Sequence, residues 1–185
     1  MNDHEFLVCI DAGHGGRDPG TSYKNEYLEK TYVLKVAKYV MHLLEGDNIA
    51  VFPIRYRDYF LPIGDRITIA NRSKADIFVS IHFNGATDPS AHGIETFYFR
   101  GSTQGKILAS KVQSKMIQTL DRKNRGIKTG SFSVLSGTAM PAILVEPGFI
   151  TNENEKNKII TRSYQLDCAR AITNGILSYI REVKK

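Results

Sequence analysis

Cysteine is scarce in this chain of 185 residues: there are two, Cys9 and Cys168, standing neither in a C-x-x-C pair nor at a zinc-finger spacing. That excludes a disulfide framework and a cysteine-held metal, and both thiols are expected to be small buried hydrophobes. Long apolar runs are missing too, since no stretch approaches the ~20 residues that span a bilayer. The opening MNDHEFLVCI carries acids where an export signal carries lysines, and its apolar run is only a few residues long, so it reads as a strand. On this reading the protein is made soluble in the cytoplasm without a signal peptide, and any target outside the cell is reached by release or as part of a longer protein. Repeats, low-complexity linkers and internal breaks are also lacking. One domain over residues 1–185 is expected, burying roughly 70% of the surface its unfolded chain exposes.

What the chain has in excess is positive charge, +6 with a pI near 9.3. Such a balance favours an anionic partner, whether nucleic acid, an anionic membrane or an acidic wall polymer. The basic residues are spread rather than blocked, and there is no RNP-type aromatic motif, zinc finger or concentrated basic helix, so nucleic acid is not the expected partner.

Periodicity alternates between strand and helix. Phe6–Ile10 is a short apolar run emptying into the turn-rich DAGHGGRDPG. Val33, Val36, Ala37, Val40, Met41 and Leu44 recur at helical spacing, predicting a helix from Glu29 to Leu44 that stops near Gly46. A strand over Ile49–Ile54, a helix over Leu61–Arg72, a buried strand over Ala75–Ile81 ending in HFNG, and an alternating strand over Ile94–Phe99 follow. A helix over Thr103–Leu120, a Gly-rich connection, a strand over Ala142–Val145 ending in EPGF, and a helix over Tyr164–Glu182 complete the chain. This alternation predicts an α/β fold, a mixed and mostly parallel sheet of about six strands flanked by helices.

The chemistry lies where strands end, because ligands of open α/β sheets bind beyond the carboxyl ends of the strands. The first strand runs into Asp11 and His14, the third into His82 and the late one into Glu146. Two histidines and a carboxylate are a common protein complement for a hydrolytic zinc ion, and a second carboxylate supplies the proton transfers that amide hydrolysis needs. A carboxylate closing the apolar run AILV would be costly to bury without such a role. On the first helix, Glu29 lies four residues before Val33 and so shares its buried face. Glu26 is an alternative, and either could simply favour the positive end of the helix dipole.

Four stretches in order, DAGHGG, LEK at the first helix, ADIFVSIHFNG and PAILVEPGFITNENE, resemble the zinc-dependent type-3 N-acetylmuramoyl-L-alanine amidases of bacterial autolysins and phage endolysins. The resemblance covers nearly the whole chain. It implies Zn2+ bound by His14, Glu29 and His82, Glu146 as the catalytic carboxylate, and peptidoglycan as substrate, cut between the lactyl group of N-acetylmuramic acid and L-alanine. The family pattern of a glutamate followed by a basic residue and an apolar helix selects Glu29 over Glu26. HFNG and EPGF depart slightly from the usual forms, and Pro147 directly follows Glu146.

Arg66 and Asn71 also match family positions and are expected to be structural, while Asn84 is a candidate substrate contact. His4, His42 and His92 are read as bystanders. Competing readings are a zinc peptidase acting on the stem peptide, a non-catalytic wall-binding module and a phosphate-binding regulatory domain.

Overall fold

The computed structural model describes residues 6–184. In chain order the elements are β1 (Leu7–Ala12), a small hairpin of β2 (Ser22–Tyr23) and β3 (Tyr27–Leu28), α1 (Glu29–Gly46), β4 (Ala50–Pro53), α2 (Ile63–Ser73), β5 (Ile77–Ile81) and β6 (Ile94–Tyr98). There follow α3 (Thr103–Leu120), β7 (Asn124–Thr129), the short α4 (Ser133–Gly137), β8 (Ala142–Glu146), α5 (Glu153–Ile159) and α6 (Arg162–Val183).

The strands form one six-stranded sheet in the order β4-β1-β5-β8-β6-β7. β4, β1, β5 and β8 run parallel, β6 is antiparallel to β8, and β7 is parallel to β6. This is the mixed, mostly parallel sheet flanked by helices that the sequence predicts. Its sixth strand is the unexpected one: β7 and α4 occupy the stretch read as a Gly-rich connection. β7 is half-exposed at the sheet edge and shows no apolar alternation, so its strand character comes from pairing with β6.

Side chains alternate across the sheet with a period of two. Val8, Ile10, Ala12, Ile77, Val79, Ile81, Ile143 and Val145 enter the larger core under α1, α3 and α6. Cys9, Phe78, Ala142 and Leu144 point to the other face, covered by α2 and α4. Both cysteines are buried, as expected, and burial pushes the Cys9 thiol up to about 12. The apolar stripe of α1 is the one read from sequence. The last helix starts at Arg162 rather than Tyr164 because the Thr161 side chain caps it, accepting from the Tyr164 N–H.

Two features of this sheet place the functional residues. The parallel register sets Ala12 beside Ile81 and Ile81 beside Val145, so the chain leaves β1, β5 and β8 at one level. The same alternation puts Asp11, Ser80 and Glu146 on the α2–α4 face, whose two helices are short and leave the strand ends open.

Candidate active site

The loop after β1 is built around two buried arginines. Arg66 on α2 forms an ion pair with Asp11 at 2.6 Å, donates to the Ala12 carbonyl at 2.8 Å and also donates to the His14 carbonyl. Ser80 completes the Asp11 shell at 2.8 Å. Arg55 donates to the carbonyls of Ala12 and Gly13, each at 2.7 Å. The structural roles expected of Arg66 and Asn71 are what is found: Asn71 ties α2 to the end of α4 through Gly137 and Ala139. These braces hold His14 at a φ of 61°, a left-handed conformation that a non-glycine residue adopts at some cost.

His14, Glu29 and His82 meet in space, their potential ligand atoms all lying within 4.8 Å of one another. Glu29 opens α1 with its carboxylate between the rings: Oε2 lies 3.1 Å from His14 Nε2 and Oε1 lies 2.9 Å from His82 Nδ1. The rings stand edge to face, their centroids 4.9 Å apart. Backbone N–H groups of Thr21 and Phe83 donate to the same carboxylate. Burial raises the Glu29 pKa, but the two histidines outweigh it and bring it down to about 2. Burial pulls the His14 pKa down, while Glu29 and Asp18 together carry it above its usual value. Glu26, the sequence alternative, is exposed on the hairpin.

The chain packs tightly around this trio. A Cβ on Gly13 would lie 2.2 Å from His82 Cε1, and one on Gly20, where φ is +68°, would lie 2.5 Å from Glu29 Oε2. Asp18 accepts from or pairs with His14 Nδ1 at 2.9 Å and receives the Gly20 N–H, orienting the ring from behind. Sequence reading passed over Asp18. Its signal was local, a carboxylate four residues after a candidate ligand in the same loop.

Glu146 ends β8 in the same cleft, almost fully buried, and its Oε2 has no hydrogen-bond partner among the described residues. Burial first, then the negative charges of Glu29 and Glu95, raise its pKa well above the ordinary range. The loop that follows is firmly held. The Tyr164 hydroxyl donates to the Pro147 carbonyl at 2.7 Å, and Glu155 accepts the N–H groups of Phe149 and Gly93. Glu155, Glu95 and Arg55 were not singled out from sequence, since a buried polar residue gives no periodic signature.

Asn84 lines the cleft, but its amide is engaged: Nδ2 donates to Glu95 and Oδ1 accepts the Gly85 N–H, leaving one Nδ2 proton free for a ligand. His42 and His92 are exposed and away from the cleft, and His4 lies outside the described residues. The cleft has a volume of about 970 Å3, open to solvent, large enough for an extended ligand to lie across the strand ends. Two imidazoles and a carboxylate can hold a divalent cation, with an orphan carboxylate beside them to move protons. No described helix is long and apolar enough to cross a membrane.

The chain is similar in fold and in sequence to known proteins. The crystal structure of an N-acetylmuramoyl-L-alanine amidase from Clostridium difficile 630 superposes with a TM-score of 0.92 at 40% identity, covering 96% of this chain and 97% of that one. An uncharacterized protein, YqiI of Bacillus subtilis, is 40% identical over 93% of this chain and 84% of its own length. The N-acetylmuramoyl-L-alanine amidase LytC of the same species is 36% identical over 94% of this chain, which spans 35% of LytC. The sequence profile of the N-acetylmuramoyl-L-alanine amidases matches residues 8–178, and the chain therefore belongs to that family.

Proposed function

We propose that the chain hydrolyses the amide between the lactyl group of N-acetylmuramic acid and L-alanine in peptidoglycan, with His14, Glu29 and His82 holding Zn2+ and Glu146 as the proton-transfer residue. The observation that carries this is the meeting of the three ligating side chains beside a buried carboxylate oxygen that lacks any partner. The residues fit the ion: two nitrogens and one oxygen are a donor set typical of hydrolytic zinc, and Asp18 fixes the His14 tautomer as an outer partner does in such sites. When bound, the ion polarises the scissile carbonyl and lowers the pKa of water to about 7.

The protein's own groups do the rest. Burial and the charges of Glu29 and Glu95 disfavour the ionised form of Glu146; a positive charge in the cleft favours that form, which can then take a proton from the attacking water. The same carboxyl hands that proton to the departing amine of L-alanine, and the unpaired Oε2 is free to do both. Asn84 offers its remaining amide proton to the substrate from the cleft wall. Acidic wall polymers are a further partner of the basic surface.

Glu146→Gln should keep the metal yet lose at least about a hundredfold in turnover on purified wall. Metal content is read by elemental analysis, and the new ends by mass spectrometry. Cleavage between amino acids instead of at the lactyl amide would assign the chain to the peptidases, and full turnover by Glu146→Gln would remove Glu146 from the mechanism.

A further inference from the structure

Beside Glu146 the sheet carries charges that the proposed reaction does not use. Glu95 on β6 stands opposite Glu146 in the antiparallel β6–β8 register, so both side chains share the face that floors the cleft. The buried Glu95 carboxylate receives Arg125 Nε at 2.7 Å and Lys128 Nζ at 2.5 Å, both from β7, and Asn84 on its other oxygen. One carboxylate against two cations leaves a positive charge in excess. The cations are partly exposed, the Arg125 side chain at 28% and the Lys128 side chain at 40%, so both retain donors toward solvent. At the opposite side, near β1, the cleft is walled by the apolar run Phe60 to Ile63 at the start of α2, with Ile63 left exposed.

The two flanks of the cleft are therefore unlike, with Glu95, Arg125 and Lys128 standing next to its Asn84 and Glu146 wall, and so are the two sides of the bond it is proposed to cut. One side of the scissile amide is a sugar strand, neutral apart from its modifications; the other is a peptide bearing carboxylates. Resting on the amidase reading above, we propose that Lys128 and Arg125, presented by Glu95, form a subsite for a carboxylate on the peptide arm of the substrate. The peptide then runs toward β6 and β7 and the sugar toward the start of α2. Glu95 contributes by holding two long side chains in place before binding, which reduces the conformational freedom lost when a ligand arrives. The two cations match a carboxylate through charge-assisted hydrogen bonds.

The test uses the metal-loaded full chain and two synthetic muramoyl peptides identical except that the residue after L-alanine carries a free carboxylate in one and a carboxamide in the other. The wild type should favour the acid by about fivefold in kcat/KM, chiefly through KM, for a partly screened ion pair. Lys128→Glu should bring that ratio to one or invert it, and Lys128→Gln, a mild change at a half-exposed position, should shift it the same way. A merely structural role for Lys128 would lower both rates and leave the ratio in place, which overturns the subsite. A wild type that cleaves neither peptide strikes the amidase reading instead.

Discussion

Arg66→Met is the sharpest probe of how the site is held. The arginine and its partner Asp11 are buried, with side chains 5% and 2% exposed, so removing the cation leaves a carboxylate out of water with Ser80 as its remaining side-chain hydrogen-bond partner among the described residues. Breaking a buried pair in this way costs about 3–5 kcal/mol. The carbonyls of Leu61, Ala12 and His14 lose donors as well. Against a total stability of about 5–15 kcal/mol the loss is severe, equivalent to roughly 10 °C in Tm for a chain of this size. Urea unfolding should be followed with chelator present, so that bound metal does not mask the change. Asp11→Asn in the Arg66→Met background should recover part of the loss, because it removes the stranded charge. If Arg66→Met costs under about 1 kcal/mol, or if Asp11→Asn only adds to the damage, then the pair does not brace the His14 loop as argued.

Three further outcomes follow from the same geometry. Asp18→Asn should weaken metal affinity about 10- to 100-fold, read by competition with a chromophoric chelator, and unchanged affinity would show that Asp18 does not orient His14. Gly20→Ala places a methyl against Glu29 and forces a strained φ, so it should impair metal binding more than it impairs folding, as circular dichroism and metal titration together would reveal. In the metal-free protein, Glu29 has a folded pKa below its unfolded value, so its contribution is complete above pH 4.5 and is lost as pH falls toward about 2. Glu146, with its pKa raised, contributes in the opposite sense: its share is present below pH 4.5 and is lost as pH rises. Urea midpoints across pH 2–5 should therefore fall less steeply toward acid in Glu29→Gln, and an identical slope would contradict the assigned shift.

Much of the architecture was legible in the order of residues. β1, β5 and β8 show as short apolar runs, and α1, α3 and α6 as helical stripes, because each must bury a face and its periodicity records which one. The same runs pointed to His14, His82 and Glu146, since strand ends are where an α/β sheet presents its chemistry. Glu29 was separated from Glu26 by resemblance as well as by its spacing from Val33; folding distinguishes them physically, burying one between two imidazoles and leaving the other in solvent.

Other features exist only in three dimensions. β7 has no pattern of its own and becomes a strand by pairing with β6. The antiparallel turn of β6 against β8 sets Glu95 opposite Glu146 across 51 positions of chain and brings Arg125 and Lys128 with it. Periodicity reports whether a residue faces a core, which is a local property. Which polar groups meet depends on strand order and register, and these are settled by the packing of the whole sheet.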